Sequence, residues 1–116
     1  MKNIWKKDPV PHDYPAAVDY LELLMSEKDA DELVQGLEKQ KTVFKKAKDI
    51  LRASGLQLLP KTNLHVAQNL KKVKRGEKLS PVLLVRDDKL IIADGYHRVC
   101  AIYYLSEDLT IPCRIV

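Results

Sequence analysis

From Asp13 to Ala53 apolar residues recur at every third or fourth position. From Leu56 onward, short apolar runs alternate with stretches of that same helical spacing. Ala17, Leu21 and Leu24, flanked by Val18 and Met25, predict a first helix running to about Met25. Asp13 stands just before it, and Pro15 suits its first turn. Ser26-Glu27-Lys28-Asp29 marks a second start, and Ala30, Leu33, Val34 and Leu37 carry that helix to about Lys39. Gly36 weakens it without ending it. Val43, Phe44, Ala47, Ile50 and Leu51 predict a third helix over 41–53, stopped by Ser54-Gly55. Residues 1–12, with prolines at 9 and 11, read as an extended arm tied down by Ile4 and Trp5.

In the second half, Leu56 to Leu59 is a strand candidate closed by Pro60. Thr62 then caps a predicted helix from Asn63 to about Arg75 that buries Val66, Leu70 and Val73 and stops at Gly76. Val82 to Val85 and Leu90 to Ala93 form a hairpin about Arg86-Asp87-Asp88-Lys89. A helix from Tyr96 follows, and Thr110 to Val116 is the last strand. The pattern predicts an α+β fold, a small mixed β-sheet with packed helices in the order β-α-β-β-α-β over residues 56–116. A helical region over 1–55 precedes it, and the two are expected to make one compact unit.

At 116 residues the chain fits one domain, and it has no run of eighteen apolar residues to span a membrane. The first eleven residues carry lysines but no apolar core of a secretory signal. Cys100 and Cys113 lie in apolar segments far from any C-x-x-C spacing, which predicts buried free thiols and a cytoplasmic protein. The net charge of +4 conceals an asymmetry: residues 1–38 carry −5, residues 39–78 carry +10 and residues 79–116 carry −1. The basic block from Lys39 to Lys78 either faces a polyanion such as nucleic acid or packs beside the acidic first helices. Both readings are open at this stage.

The candidate chemistry sits at Asp94-Gly95-Tyr96-His97-Arg98, where an apolar strand gives way to a helix. The first amides of a helix lack intrahelical partners and lie at its positive end, so such a turn suits an anion. Gly95 permits close backbone approach, and Arg98 adds a cation that fits phosphate or carboxylate. Asp94 is a candidate cap, metal ligand or base, and His97 titrates near neutrality. His65, near the start of an earlier helix, reads as an exposed or half-packed side chain with a ligand contact as the alternative.

These residues in this order resemble the ParB/sulfiredoxin superfamily, specifically its ParB-like N-terminal domain (the ParB-like nuclease domain), over about residues 56–116. The resemblance rests on the strand ending at Pro60, the helix ending at Gly76 and the Ser-Pro-apolar strand Ser80 to Val85. The Leu-Ile-Ile-Ala-Asp-Gly strand end, the Gly-x-x-Arg turn Gly95 to Arg98 and the Ile111-Pro112 strand complete it. It implies a nucleotide of the CTP or ATP class, with Gly95, Tyr96 and Arg98 as ligand contacts and Ser80 and Gly76 as further ones. Partition-type members have Glu-Arg where this chain has Tyr96-His97. Sulfiredoxins carry Gly-Cys-His-Arg, and Tyr96 replaces that nucleophile, so sulfinic-acid reduction is not expected. The Asp94-Gly95-x-His97-Arg98 pattern is also similar to the free-serine kinase branch. That similarity implies His97 and Asp94 as catalytic groups and Mg2+ held by Asp94 with the nucleotide. Arg98, pointing at ligand, is expected to be replaceable with little loss of fold. Alternative expectations are a nucleic-acid-binding or nuclease-like module, and a non-enzymatic interaction protein, homo-oligomeric or with another partner, using a stripe of Val43, Phe44 and Ala47.

Overall fold

A computed structural model describes residues 3–116. Met1 and Lys2 of the predicted arm lie outside them. In chain order the elements are α1 (Asp13–Leu21), α2 (Glu27–Lys39), β1 (Val43–Lys46), α3 (Ala47–Ser54) and α4 (Leu64–Lys74). After these come β2 (Val82–Val85), β3 (Ile91–Asp94), α5 (Tyr96–Leu105) and β4 (Thr110–Ile115). The fold is α+β, with one four-stranded sheet in the order β1-β4-β2-β3. The sheet is mixed: β1–β4 and β2–β3 run antiparallel, and β2–β4 run parallel.

β2 reads Val-Leu-Leu-Val and is buried throughout, because helices cover both faces of the sheet. Val82 and Leu84 point into a core with Ile50, Val66, Val99, Ile102 and Ile111, built on α3, α4 and α5. Leu83 and Val85 point the other way, onto Ala17 and Leu21 of α1 and Ala30, Val34 and Leu37 of α2. Each fully buried leucine among these contributes about 1.5–3 kcal/mol of transfer free energy. The arm packs as expected. Trp5 is buried and bridges to Leu79, the Lys6 amide donates to Leu79 O at 2.7 Å, and the Leu79 amide donates to Ile4 O at 2.8 Å. Both cysteines are free and buried. Among the described residues, no helix is long and apolar enough to cross a membrane.

Five expectations are corrected. The third predicted helix is half strand: Val43–Lys46 pairs with Cys113 to Thr110, and only Ala47–Ser54 is helical. Val43 and Phe44 are exposed at this sheet edge while Ala47 is fully buried, so the three do not form one exposed stripe. Leu56–Leu59 is not a strand. It has no ladder partner and is held instead by tyrosine hydroxyls of α5, with Tyr104 donating to Leu59 O at 2.7 Å and Tyr96 donating to Gln57 O. The first helix ends at Leu21, leaving Leu24 more than half exposed. The α4 cap is Asn63, one residue after the expected Thr62, its Oδ1 accepting from the His65 and Val66 amides.

Candidate functional site

β3 delivers the site. Its register slips at the β2 pairing, with Leu83 opposite Asp94 but Leu84 opposite Ile92, so Ala93 is the extra residue. Such a bulge turns the end of a strand. Gly95 follows at φ +111°, a backbone state that favours glycine, and a Cβ there would lie 2.5 Å from Val82 Cγ1 and 2.9 Å from Arg98 Nη2. The chain can therefore pass from β3 into α5 only with glycine at this joint.

The helix it starts is uncapped. Ser26 accepts from Asp29 at the start of α2, Asn63 caps α4, and carbonyls of Glu107 and Leu109 accept from the first amides of α3. α1 starts from a turn whose carbonyls serve its first amides. At α5, no described group accepts from the amides of Tyr96, His97 or Arg98, and Gly95 has no side chain to offer.

Asp94, Gly95, His97 and Arg98 of this turn line a cleft of about 300 Å³, with α4 as its other wall. α4 contributes His65, Gln68, Asn69 and Lys72, spaced three or four apart and so on one face. The His65 and His97 rings lie 4.8 Å apart, tilted by 57°. Burial, and then the neighbouring His65 and Arg98, hold the His97 pKa below its ordinary value, which leaves the ring neutral at pH 7 and able to both donate and accept.

Behind the cleft lies a small polar network. Arg98 Nη2 donates to Asp94 Oδ2 at 2.9 Å, to Pro81 O at 3.2 Å and to Asp13 Oδ2 at 3.5 Å. Ser80 Oγ donates to Asp13 and accepts from the Val10 amide. Asp13 and Ser80 are buried, and Arg98 Nε is buried without a partner among the described residues. Burial raises the Asp94 pKa, opposed by Arg98 and reinforced by the nearby Asp13 carboxylate.

Of the residues predicted from sequence, Asp94, Gly95, His97 and Arg98 come together in the cleft. Tyr96 starts α5, but its hydroxyl serves the 56–60 segment. Ser80 is committed to Asp13 behind the cleft, and Gly76 ends α4 at φ +80° outside the cleft lining. Arg98 is not the free, replaceable side chain expected, because it ties the buried Asp13 carboxylate to the half-buried Asp94 carboxylate. Gln68, Asn69, Lys72 and Asp13 were missed. The signal for the first three was their spacing with His65, legible only once α4 is known to pack on α5. No group of three or more His, Cys, Asp or Glu side chains converges as a metal site among the described residues. No family model matches the chain, and no curated protein or solved structure matches it either.

Proposed function

We propose that this is a phosphate- or nucleotide-binding protein of ParB-like type, with the cleft at the start of α5 as its binding site. The observation that carries the reading is the uncapped turn itself. His97 and Arg98, whose amides no described group accepts, share one cleft with Lys72, Gln68 and the His65 imidazole. Amides and fixed cations of this kind hold phosphate oxygens without reorganising, as phosphoryl-binding sites require. His97, neutral and within the cleft, donates to a phosphate oxygen or carries a proton to one. Asp94 suits Mg2+ in part: its Oδ2 is held by Arg98, while Oδ1 has no hydrogen bond to a described residue. One carboxylate with ligand phosphates is a common way to hold that ion, which would supply charge neutralisation between phosphates. A second reading, nucleic-acid binding, is favoured by the lysines of α4 that continue from the cleft.

The test is a thermal-shift panel of CTP, ATP, GTP, ADP and inorganic phosphate, with and without Mg2+, on wild type, Lys72→Gln and His97→Gln. A ligand at a hundred times its Kd should stabilise the wild type by about 2.7 kcal/mol, and both substitutions should reduce the shift. No shift with any ligand, or an equal shift in both variants, would remove this cleft as the site.

A further inference from the structure

We infer that the cleft is one end of a longer track that binds single-stranded nucleic acid, with one phosphate at the α5 N-terminus and the following phosphates along α4. The inference rests on the phosphate reading above and extends it. The cleft shares Gln68 and Lys72 with an adjoining trough of about 440 Å³, which is further lined by Lys71, Arg75 and Glu77. From His65 to Arg75, the residue that follows α4, the track spans ten helical steps, roughly 15 Å at the helical rise, which exceeds one phosphate group.

The charges along the track are available. Lys71 and Lys72 make no ion pair among the described residues, and Arg75 has only an exposed contact at 3.9 Å to Glu77. Among the described residues, no cation of residues 39–78 pairs with an acid of residues 1–38. Lys46 and Lys48 pair with Asp108, and Arg52 pairs with Asp49. The acidic helices α1 and α2 lie across the sheet from α4, so the basic block is not neutralised by them. His65 is exposed and His97 partly exposed at the cleft, and an imidazole is a ring on which an unpaired base can stack. Duplex recognition would need an element shaped for a groove, whereas a trough beside one helix suits a flexible single chain.

The experiment compares thymidine monophosphate with oligothymidylates of two to eight nucleotides, by fluorescence anisotropy competition at 50 and 200 mM salt. It uses wild type and the exposed double variant Lys71→Gln/Arg75→Gln. Three phosphate-neutralising cations predict a slope of log affinity against log salt of about −2, or roughly a twenty-fold loss over that range. The oligomers should bind at least ten-fold more tightly than the mononucleotide, and the double variant should erase that advantage while leaving mononucleotide affinity unchanged. Equal affinity for monomer and oligomers, or an advantage that survives the double substitution, overturns the track and leaves the phosphate site standing. Binding of neither overturns both.

Discussion

The two helical layers of this protein cover opposite faces of one sheet and differ in charge and in work. The α1–α2 layer presents Asp19, Glu27, Asp31, Glu32 and Glu38 to solvent and packs on Leu83, Val85 and Ala93. The α3–α4–α5 layer presents the lysines and arginines and packs on Val82, Leu84 and Ile92. Charge segregated along the sequence thus becomes a back and a front, and the front keeps a field that an anion can use. One residue crosses between them. Asp13, in the first turn of α1, reaches Ser80 and Arg98 and so anchors the acidic layer to the floor of the cleft.

The link from Asp13 to Arg98 is where a single substitution should disturb both layers most. Arg98→Ala leaves the buried Asp13 and the half-buried Asp94 without their cation, and it should cost about 3–5 kcal/mol of stability in urea unfolding. A loss below about 1 kcal/mol would mean that the two layers are not joined through this arginine. Next in size is Gly95→Ala, where backbone strain and the collision with Val82 should cost roughly 2–3 kcal/mol. A normal unfolding midpoint in this variant would show that the β3–α5 joint has room. Smallest on stability, within about 0.5 kcal/mol, are exposed charge changes on either layer. Here the layers should part in binding. Lys72→Gln should weaken phosphate affinity several-fold, while Asp31→Asn on the back should leave it unchanged, and calorimetric titration of both variants tests this.

Much of this architecture was readable beforehand. The β2–β3 hairpin, α5 and β4 carry short apolar runs with turn residues between them, and Ser26 announced α2 as its cap does in the fold. β1 was hidden because Val43 and Phe44 stand at helical spacing from Ala47, Ile50 and Leu51, and the break between strand and helix has no glycine or proline to mark it. Leu56–Leu59 misled in the opposite sense: its apolar run looks like a strand, but tyrosine hydroxyls satisfy it from the side. At the site, the residues contiguous in sequence were legible and those brought from afar were not. Asp13 is 85 residues from Arg98, and nothing local in the Asp13-Tyr14-Pro15 turn distinguishes a buried partner from an ordinary helix start. His65 needed the packing of α4 on α5 before its face acquired meaning.

The chain has three histidines, two in the cleft and His12 outside it, so imidazole proton resonances report the site with an internal control. The depressed His97 pKa has a sign that can be checked. Above 6.5 it costs the fold nothing. As pH falls below 6.5, the unfolded chain takes up a proton that the folded chain resists, and stability declines until the folded value is passed. A bound dianion must reverse that depression, so anion affinity should rise as pH falls through the same range. The decisive measurement is therefore a pH titration of the histidine resonances with and without sulfate, which stays fully ionised throughout. His97 should titrate below 6.5 in the free protein and move upward with sulfate. Adding sulfate should also change the chemical shift of the His65 ring protons in the cleft and leave that of His12, outside it, unchanged. A His97 titration that sulfate leaves in place would contradict the anion site at the start of α5.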